Sequence, residues 1–356
     1  MICNSQIYPF NGVLSNDAQR AACEIMASGQ IAAGVAISDM TSALMLALHT
    51  AGVRAGDDVL TLAFSCMSSN SAAVRIGANV IWVDLEPETA TLSLADLELA
   101  RTPRTKALMV YHIAGYPAPM REIAEYCRKY GIVLIEDCNA ALGARDQHGS
   151  PVGSSGDFSV CSFYPNRLIN AIEGAMLICP NGETAERVRQ LCRYGIDSAT
   201  FRDTDGEISP SSDIPEVGWA ASLSQLHAAV GLAATTAASR LLRVGQIAEK
   251  LHKACRDVKA FRPIQPVLGS QPAYWVFLLL AENRNELKLH LASAGIHTTQ
   301  LHQRNDVYSG FHAAKRDLPG TSRLQREVLA LPCGWWLTDN DLLRLTEALA
   351  SAPPPF

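Results

Sequence analysis

Short apolar runs alternate with longer amphipathic segments along most of the chain. Each run is rich in Val, Ile and Leu and ends at polar or turn-forming residues, which is typical of β-strands. Because the runs are apolar throughout rather than at every second position, we expect both faces to be buried, as in a mainly parallel sheet. The predicted strands are Asp58–Ala63, Asn79–Asp84, Lys106–His112, Ile132–Asp137, Phe158–Phe163 and Ala175–Cys179.

The segments between these strands have apolar residues at helical spacing, often with a capping residue at the start. Helices that alternate with buried parallel strands predict an α/β, doubly wound architecture with helices on both faces of the sheet. The predicted helices are about Asp17–Ser28, Ile37–His49 with an opening turn, Met67–Ile76, Leu94–Ala100, Pro119–Tyr130 and Glu183–Tyr194.

The pattern changes in the second half of the chain. Asp197–Val217 is polar and without periodicity, which predicts a loop, and a long helix or helix pair follows at about Leu223–Lys259. We expect a large domain over residues 1–245 and a smaller C-terminal α+β domain over residues 246–356. Its predicted elements are a strand at Ala273–Leu280 and helices at Asn285–Ala294 and Asp339–Ala350.

Composition favours a globular protein without a nucleic-acid or membrane partner. The chain of 356 residues is 48% hydrophobic and 18% charged, with a formal charge of -5 and no basic patch. No apolar run approaches the roughly 20 residues of a membrane helix, and the N-terminus does not resemble a signal peptide. We therefore expect a cytoplasmic protein.

The cysteines are scattered and none has CxxC spacing, so we expect no zinc or other metal site. In a chain of this size they are expected to be reduced and mostly buried. The ten cysteines are Cys3, Cys23, Cys66, Cys127, Cys138, Cys161, Cys179, Cys192, Cys255 and Cys333.

A polar loop, Ser162–Met176, follows one of the predicted strands. Ligands of open α/β sheets bind at the carboxyl ends of the strands, and the neighbouring strand ends in Asp137. The loop contains an arginine, Arg167, and no lysine. This edge of the sheet is the predicted functional site.

Several segments, taken together and in order, resemble the DegT/DnrJ/EryC1/StrS family of sugar aminotransferases. The resemblance implies the aspartate-aminotransferase fold (fold type I of pyridoxal-phosphate enzymes). The matching segments include Thr41–Leu44, Ala51–Val59, Thr102–Ala107, Gly115–Ala118, Ile135–Asp137, Val152–Asp157, Ser162–Pro165, Glu173–Gly174 and Glu327–Pro332.

The resemblance assigns cofactor-binding roles to several residues. Asp137 matches the aspartate that keeps the pyridine nitrogen of pyridoxal phosphate protonated. Thr41, Ser42 and Ser162 match the cradle of the phosphate at a helix N-terminus, although capping is an equally good interpretation of their hydroxyl groups. Cys66 falls where the family has an aromatic residue against the cofactor ring.

The chain departs from the family at the residue that defines its chemistry. The lysine that forms the Schiff base falls on Arg167, and a guanidinium has no free amine with which to attack an aldehyde. The glycine before Thr-Ser is Met40, and the partner-subunit Asn and Arg fall on Ala220 and Ser222. No covalent cofactor is therefore expected, and non-covalent pyridoxal or pyridoxamine phosphate remains an alternative.

Two interpretations of Arg167 remain open. It could form a buried ion pair with Asp137, or it could bind a carboxylate or phosphate of a substrate, with Asn166 nearby. Glu173 and His302 are further candidates for substrate binding. His112 is a candidate acid–base residue, with a packed histidine as the alternative. Of Cys66, Cys138 and Cys161, each could be a nucleophile, but structural burial is the simpler role.

These features leave three hypotheses. The first is a divergent enzyme of sugar or natural-product biosynthesis, cofactor-independent or using free cofactor. The second is a conventional aminotransferase whose lysine lies elsewhere in the sequence. The third is a non-catalytic subunit that supports a lysine-bearing paralogue in a heterodimer. For the first two, family architecture implies a homodimer.

Overall fold

A seven-stranded sheet forms the centre of the computed structural model, which describes residues 33–232 and 237–353. The strand order is β1-β9-β8-β7-β6-β2-β3. Only β9 among these strands runs antiparallel to its neighbours, so the mainly parallel sheet is confirmed. Its strands are β1 (Gly34–Ile37), β2 (Asp58–Leu62), β3 (Asn79–Val83), β6 (Thr105–Tyr111), β7 (Val133–Asp137), β8 (Phe158–Ser162) and β9 (Ala175–Ile178); β4 (Leu85–Glu86) and β5 (Thr91–Leu92) form a separate ribbon.

Helices cover both faces of this sheet. One face packs against α1, α2 and α5 through a cluster that includes Leu44, Ala72 and Val188, and the other packs against α3 and α4. The doubly wound arrangement predicted from the apolar strands is therefore present. The helices of this part are α1 (Met40–Thr50), α2 (Met67–Arg75), α3 (Leu94–Ala100), α4 (Met120–Tyr130), α5 (Gly182–Leu191) and α6 (Gln225–Leu232).

The C-terminal part is built on a small antiparallel sheet of β10 (Arg262–Pro263), β11 (Phe277–Leu280) and β12 (Val328–Leu331). Its core packs against α7 (Ala237–Ala254), α8 (Arg284–Ser293) and α10 (Asp339–Ala350), and α9 (Pro319–Glu327) precedes β12. The α+β composition agrees with the prediction, whereas the boundary at residue 245 stays a prediction.

Buried polar groups attach the C-terminal part to the large sheet. The carboxylate of Asp84, just after β3, accepts hydrogen bonds from the backbone N–H groups of Gly320 and Thr321 and from the Thr321 hydroxyl. The side chain of Asn305 donates to the carbonyl groups of Ala63 and Ser65, which follow β2. These bonds hold the segment containing residue 302 against the carboxyl edge of the sheet.

Most differences from the sequence prediction lie at element ends and in short elements. The predictions missed β1, β12 and α9, and the predicted strand Ala273–Leu280 begins only at Phe277. The predicted helix Asp17–Ser28 lies outside the described residues. None of the helices in the described ranges combines the length and the apolar character needed to cross a bilayer.

Candidate functional site

The carboxyl ends of four adjacent strands bring the candidate residues together. The strands β8, β7, β6 and β2 are neighbours in the sheet and run parallel. They end at or just before Ser162, Asp137, Tyr111 and Cys66, respectively. The structure therefore places these residues together at the carboxyl edge of the sheet, which is the predicted location of the site.

Asp137 is buried at the end of β7, with 1% of its surface exposed. One carboxylate oxygen accepts a hydrogen bond of 2.5 Å from the Ser69 hydroxyl, and the other accepts one of 3.0 Å from the backbone N–H of Asn139. Burial raises the pKa of Asp137, and these hydrogen bonds only partly oppose it. Its carboxyl group is thus fixed in place by hydrogen bonds from within the chain.

Arg167 lies partly buried beside Asp137 and is held by neutral groups. Its Nε and Nη2 atoms donate to the side-chain oxygen of Asn139 at 3.0 and 2.7 Å, and its Nη1 atom donates to that of Asn166 at 2.5 Å. The guanidinium carbon lies 4.4 Å from the centroid of the Trp275 ring, which is a cation–π contact. Burial lowers the pKa of Arg167.

The two charged groups are linked through Asn139 rather than paired. Its backbone N–H donates to Asp137 while its side-chain oxygen accepts from Arg167. Within the described ranges, the ion pairs found include none between Arg167 and a carboxylate. The direct ion pair considered from the sequence is therefore not the arrangement in this chain.

A glycine sets the position of Trp275. Gly115 has φ +90°, and a Cβ atom there would lie 2.7 Å from the carbonyl oxygen of Ala140 and 3.3 Å from the backbone nitrogen of Trp275. This lack of a side chain allows the segment before β11 to bond the loop after β6, with the Trp275 N–H donating to Ala114. Residues 273–276 consequently leave the predicted strand and place the indole under Arg167.

His302 approaches the site from the C-terminal part, as the sequence predicted. Its Nε2 atom lies 3.1 Å from the Tyr111 hydroxyl, and its ring packs edge-on against Phe64. Burial, followed by the charge of Arg167, lowers the pKa of His302 to about 4. Burial also raises the pKa of Tyr111. Both side chains are therefore neutral near pH 7.

The helix N-terminus assigned to phosphate binding already holds an anion. Asp39 caps α1, and its carboxylate accepts hydrogen bonds from the Ser42 N–H at 2.9 Å, the Ser42 hydroxyl at 2.6 Å and the Ser38 hydroxyl at 2.9 Å. Although burial opposes it, these bonds lower the pKa of Asp39. The Thr41 hydroxyl donates to the Ser68 carbonyl, and Met40 is buried. The hydroxyl groups of Thr41 and Ser42 are thus both engaged in hydrogen bonds within the chain.

The other two residues predicted to bind a cofactor also have partners inside the chain. The Ser162 hydroxyl accepts a hydrogen bond of 3.2 Å from the Tyr164 N–H. Cys66 lies at the start of α2, where its sulfur accepts from the Ser68 hydroxyl at 3.1 Å. Neither contact brings an aromatic ring to the position that the family uses for stacking.

His112 is a packed histidine, fully buried against Glu136. Its Nδ1 atom accepts from the Ala118 N–H, and its Nε2 atom lies 3.2 Å from the Glu136 carboxylate. That carboxylate also accepts from three backbone N–H groups of the turn at residues 153–156. Although Cys138 completes a group of possible metal ligands within 4.8 Å, these hydrogen bonds give His112 and Glu136 a structural role.

The remaining candidates are two exposed residues of the loop after β8 and two buried cysteines. Glu173 is exposed on the loop between β8 and β9, and Asn166 is exposed but contacts Arg167. Cys138 and Cys161 are buried, and burial raises the pKa of Cys138 well above its ordinary value. These two thiols are therefore poor candidates for a nucleophile.

Every lysine of the chain lies in the described ranges and is exposed to solvent. Three are on or just after α7, and one each lies on β6, α4 and α8. The seven lysines are Lys106, Lys129, Lys250, Lys253, Lys259, Lys288 and Lys315.

Four residues of the site were not predicted from the sequence. Asn139 follows the strand-end aspartate by two residues, which is a signal that could have indicated it. Asp39 lies two residues before Thr41, and an acidic residue at the start of a predicted helix is also a signal that could have indicated it. Tyr111 and Trp275 gave no such signal, because their places depend on the contact at Gly115 and on the fold of the C-terminal part.

Comparison with known proteins gives a consistent result over nearly the whole chain. The sequence model of the DegT/DnrJ/EryC1/StrS aminotransferase family matches residues 19–350. A relative from Acidithiobacillus ferrooxidans, named UDP-N-acetyl-3-dehydro-alpha-D-glucosamine 3-aminotransferase, is 29% identical over 343 residues, which are 95% of this chain and 89% of the relative.

Solved structures share the fold. The aminotransferase TlmJ from Streptoalloteichus hindustanus has a TM-score of 0.87 at 25% identity and covers 96% of this chain and 91% of its own. DesV from S. venezuelae, solved with a ketimine intermediate, has a TM-score of 0.84 at 26% identity, with coverage of 96% and 89%. The aminotransferase-like fold expected from the sequence is thereby confirmed.

Proposed function

Since the chain belongs to the DegT/DnrJ/EryC1/StrS aminotransferase family, we propose that it is a divergent enzyme of sugar or natural-product biosynthesis that works without an internal aldimine. The observation that carries this proposal is the placement of Arg167, which is held in the site by Asn139 and Trp275 and which the resemblance aligns with the Schiff-base lysine. A guanidinium stays protonated and cannot form the imine.

The positions of the lysines support the proposal. A conventional aminotransferase would need a lysine amine beside Asp137, inside the site. All seven lysines are exposed, and Lys106, at the start of β6, lies at the opposite edge of the sheet from Asp137. The exposure of every lysine therefore supports the proposal over the alternative of a misplaced lysine.

The residues at α1 do not fit pyridoxal phosphate as the family is expected to hold it. A phosphate dianion at this helix N-terminus would meet the ionised carboxylate of Asp39, which already accepts the bonds that the phosphate would need. We therefore favour cofactor-independent chemistry on a small-molecule substrate. Free pyridoxamine or pyridoxal phosphate is the alternative.

The polar site also supports an enzyme over a non-catalytic subunit. A site that had lost its ligand would be expected to fill with apolar side chains, because an unpaired buried cation is destabilising. Arg167 is instead held in place by two carboxamide groups and an indole. We further propose that the chain forms a homodimer, as the family architecture implies.

Borohydride trapping tests the absence of an internal aldimine. The native chain is incubated with pyridoxal phosphate, reduced, and mapped by peptide mass spectrometry, with ultraviolet–visible spectra recorded before reduction. We expect no saturable absorbance of an aldimine and only scattered labelling of surface lysines. One stoichiometric adduct on a single lysine, together with a yellow protein, would show a conventional aminotransferase and overturn the proposal.

A titration with pyridoxamine phosphate tests the free-cofactor alternative in the same preparation. Saturable binding at micromolar concentration would replace the cofactor-independent proposal by a free-cofactor one. The matched variant is Asp39→Ser combined with Met40→Gly, which removes the internal carboxylate and restores the small residue. We expect this variant to bind the cofactor phosphate more tightly than the native chain.

A further inference from the structure

We propose that Arg167 is the recognition site for a carboxylate group of the substrate, in the cleft between the loop after β8 and the segment before β11. This inference rests on the proposed function, because it assigns the arginine at the lysine position a new task. It adds the chemical class of the ligand, an organic monocarboxylate with an apolar or aromatic portion.

The hydrogen-bond donors of Arg167 are only partly used. A guanidinium has five N–H donors, and three of them are engaged, through Nε and Nη2 to Asn139 and through Nη1 to Asn166. Within residues 33–232 and 237–353, the remaining donor on each Nη atom has no hydrogen-bond partner. Two such donors in one plane match the two oxygens of a carboxylate in a bidentate pair.

The fixed position of the guanidinium prepares it for this task. Asn139 is buried, with 6% of its surface exposed, and is itself held by Asp137. Trp275 covers one face of the guanidinium and is held by its backbone bond to Ala114. An arginine that is ordered before binding loses less side-chain entropy when the ligand arrives.

The charge at the site favours a carboxylate over a phosphate. The largest electrostatic influences on Arg167 come from Tyr111, Cys66, Asp137 and Tyr164, which are neutral or acidic groups. A second guanidinium at the cleft wall, that of Arg240, covers Trp335 and is engaged by the Leu168 carbonyl. His302, on the facing segment, is neutral at pH 7 because burial lowers its pKa to about 4. One guanidinium can neutralise a carboxylate monoanion, whereas a phosphate dianion would keep an uncompensated charge in a partly buried place.

The cleft is narrow in the single chain, with a volume of about 30 Å³, and its walls are flat aromatic surfaces that a ligand would meet at the mouth. Besides Arg167 and Asn139, the cleft is lined by three indole rings, those of Trp275, Trp335 and Trp336. Trp336 is 53% exposed, and its ring packs edge-on against that of Trp335 at 4.9 Å. Flat aromatic surfaces of this kind bind planar or apolar ligand portions.

Calorimetric titration of the full chain with paired probes tests this proposal. The probes are benzoate, indole-3-acetate and pyruvate, each beside its neutral amide or uncharged analogue, and inorganic phosphate is titrated separately. We expect at least one carboxylate to bind saturably, and its neutral analogue to bind about tenfold or more weakly, since a charge-assisted bidentate pair is lost.

Three variants locate the binding. Arg167→Gln should weaken the binding of the carboxylate about tenfold or more. Arg240→Gln is the matched control, because the Arg240 guanidinium also lies over an indole of this cleft, that of Trp335, and donates a hydrogen bond to the Leu168 carbonyl instead of to Asn139 or Asn166. Asn139→Asp should abolish binding while the chain stays folded, because it gives Arg167 an internal carboxylate. Circular dichroism and thermal melts verify folding, and Asn139→Asp keeps the test decisive if Arg167→Gln does not fold.

Four results would overturn the proposal: no binding by any carboxylate, equal binding of a carboxylate and its neutral analogue, equal loss in the Arg167 and Arg240 variants, or tighter binding of inorganic phosphate. Failure of the proposed function is a different observation, namely a trapped adduct on lysine. The two outcomes are therefore distinguishable.

Discussion

At the scale of single residues, the site is characterised by the charge states of Arg167, Asp39 and His302. Arg167, which we propose stands in place of the family's lysine, keeps its proton at neutral pH. At the N-terminus of α1, hydrogen bonds from Ser38 and Ser42 lower the pKa of Asp39 although burial opposes them. His302 has the opposite environment, since burial and Arg167 keep it neutral. Each of these three side chains therefore keeps a single charge state near pH 7.

The lowered pKa of His302 predicts a pH dependence of stability. Between pH 6.5 and about 4 the unfolded chain binds a proton at residue 302 that the folded chain does not, so stability falls as the pH falls through this window. The loss is about 1.4 kcal/mol per pH unit, or about 2 kcal/mol between pH 7 and pH 5. Urea denaturation of the native chain and of His302→Gln measures it. We expect the native chain to lose about 2 kcal/mol more than the variant over this range; equal losses would show that His302 titrates normally.

At the scale of elements, α1 shows how one residue decides what a helix N-terminus can bind. The strand–turn–helix at residues 34–50 is the arrangement that α/β folds use for phosphate. Here the Asp39 carboxylate accepts the hydrogen bond of the Ser42 N–H at the start of α1. The side chain of Met40 packs in the core, so it leaves no space for a ligand at this position.

Removing this cap should both weaken the helix and open it to anions. Asp39→Ala is expected to lower the free energy of unfolding by about 0.5–2 kcal/mol, as for other N-cap residues. Added inorganic phosphate should then raise the melting temperature of the variant but not that of the native chain, at constant ionic strength. Asn181→Ala is the matched control, because Asn181 caps α5 in the same way but is a neutral residue. A phosphate effect of equal size in both variants would contradict the assignment.

The elements differ in how far the sequence could predict them. The buried strands β2, β6 and β7 and the helices between them follow from local apolar pattern, and the resemblance supplied the order of the site residues. Strand β1 has only four residues, and its pairing with β9 is a long-range contact that no local pattern encodes. The same holds for Trp275, whose place under Arg167 depends on the close approach at Gly115.

At the scale of the whole molecule, exposed apolar side chains lie near the site. Tyr164 and Ile172, on the loop that carries Arg167, are 55% and 48% exposed, and Tyr194 is 55% exposed. In addition, the segment at Ala220–Ser222, which the resemblance places near a neighbouring subunit, bonds to the end of β1 at the same edge. These surfaces are where we expect the second copy of the chain.

Light scattering tests the proposed homodimer. The native chain should have twice the chain mass of 38.3 kDa. Ile172→Glu should shift the population toward a single chain, because a charge would be buried at the interface. Leu268→Glu, at a side chain that is 95% exposed elsewhere, should leave the mass unchanged. A monomeric native chain that becomes dimeric only with a lysine-bearing paralogue would favour the supporting-subunit hypothesis instead.

The capped N-terminus of α1 also changes how this fold depends on its surroundings. When a helix N-terminus binds an anionic ligand from solution, the stability that the native state gains rises only with the logarithm of the ligand concentration. Asp39 is tethered beside the helix, so its carboxylate is present at a fixed and high effective concentration whatever the cell contains. The cap of α1 should therefore contribute the same stability to the folded chain whether or not an anionic ligand is present.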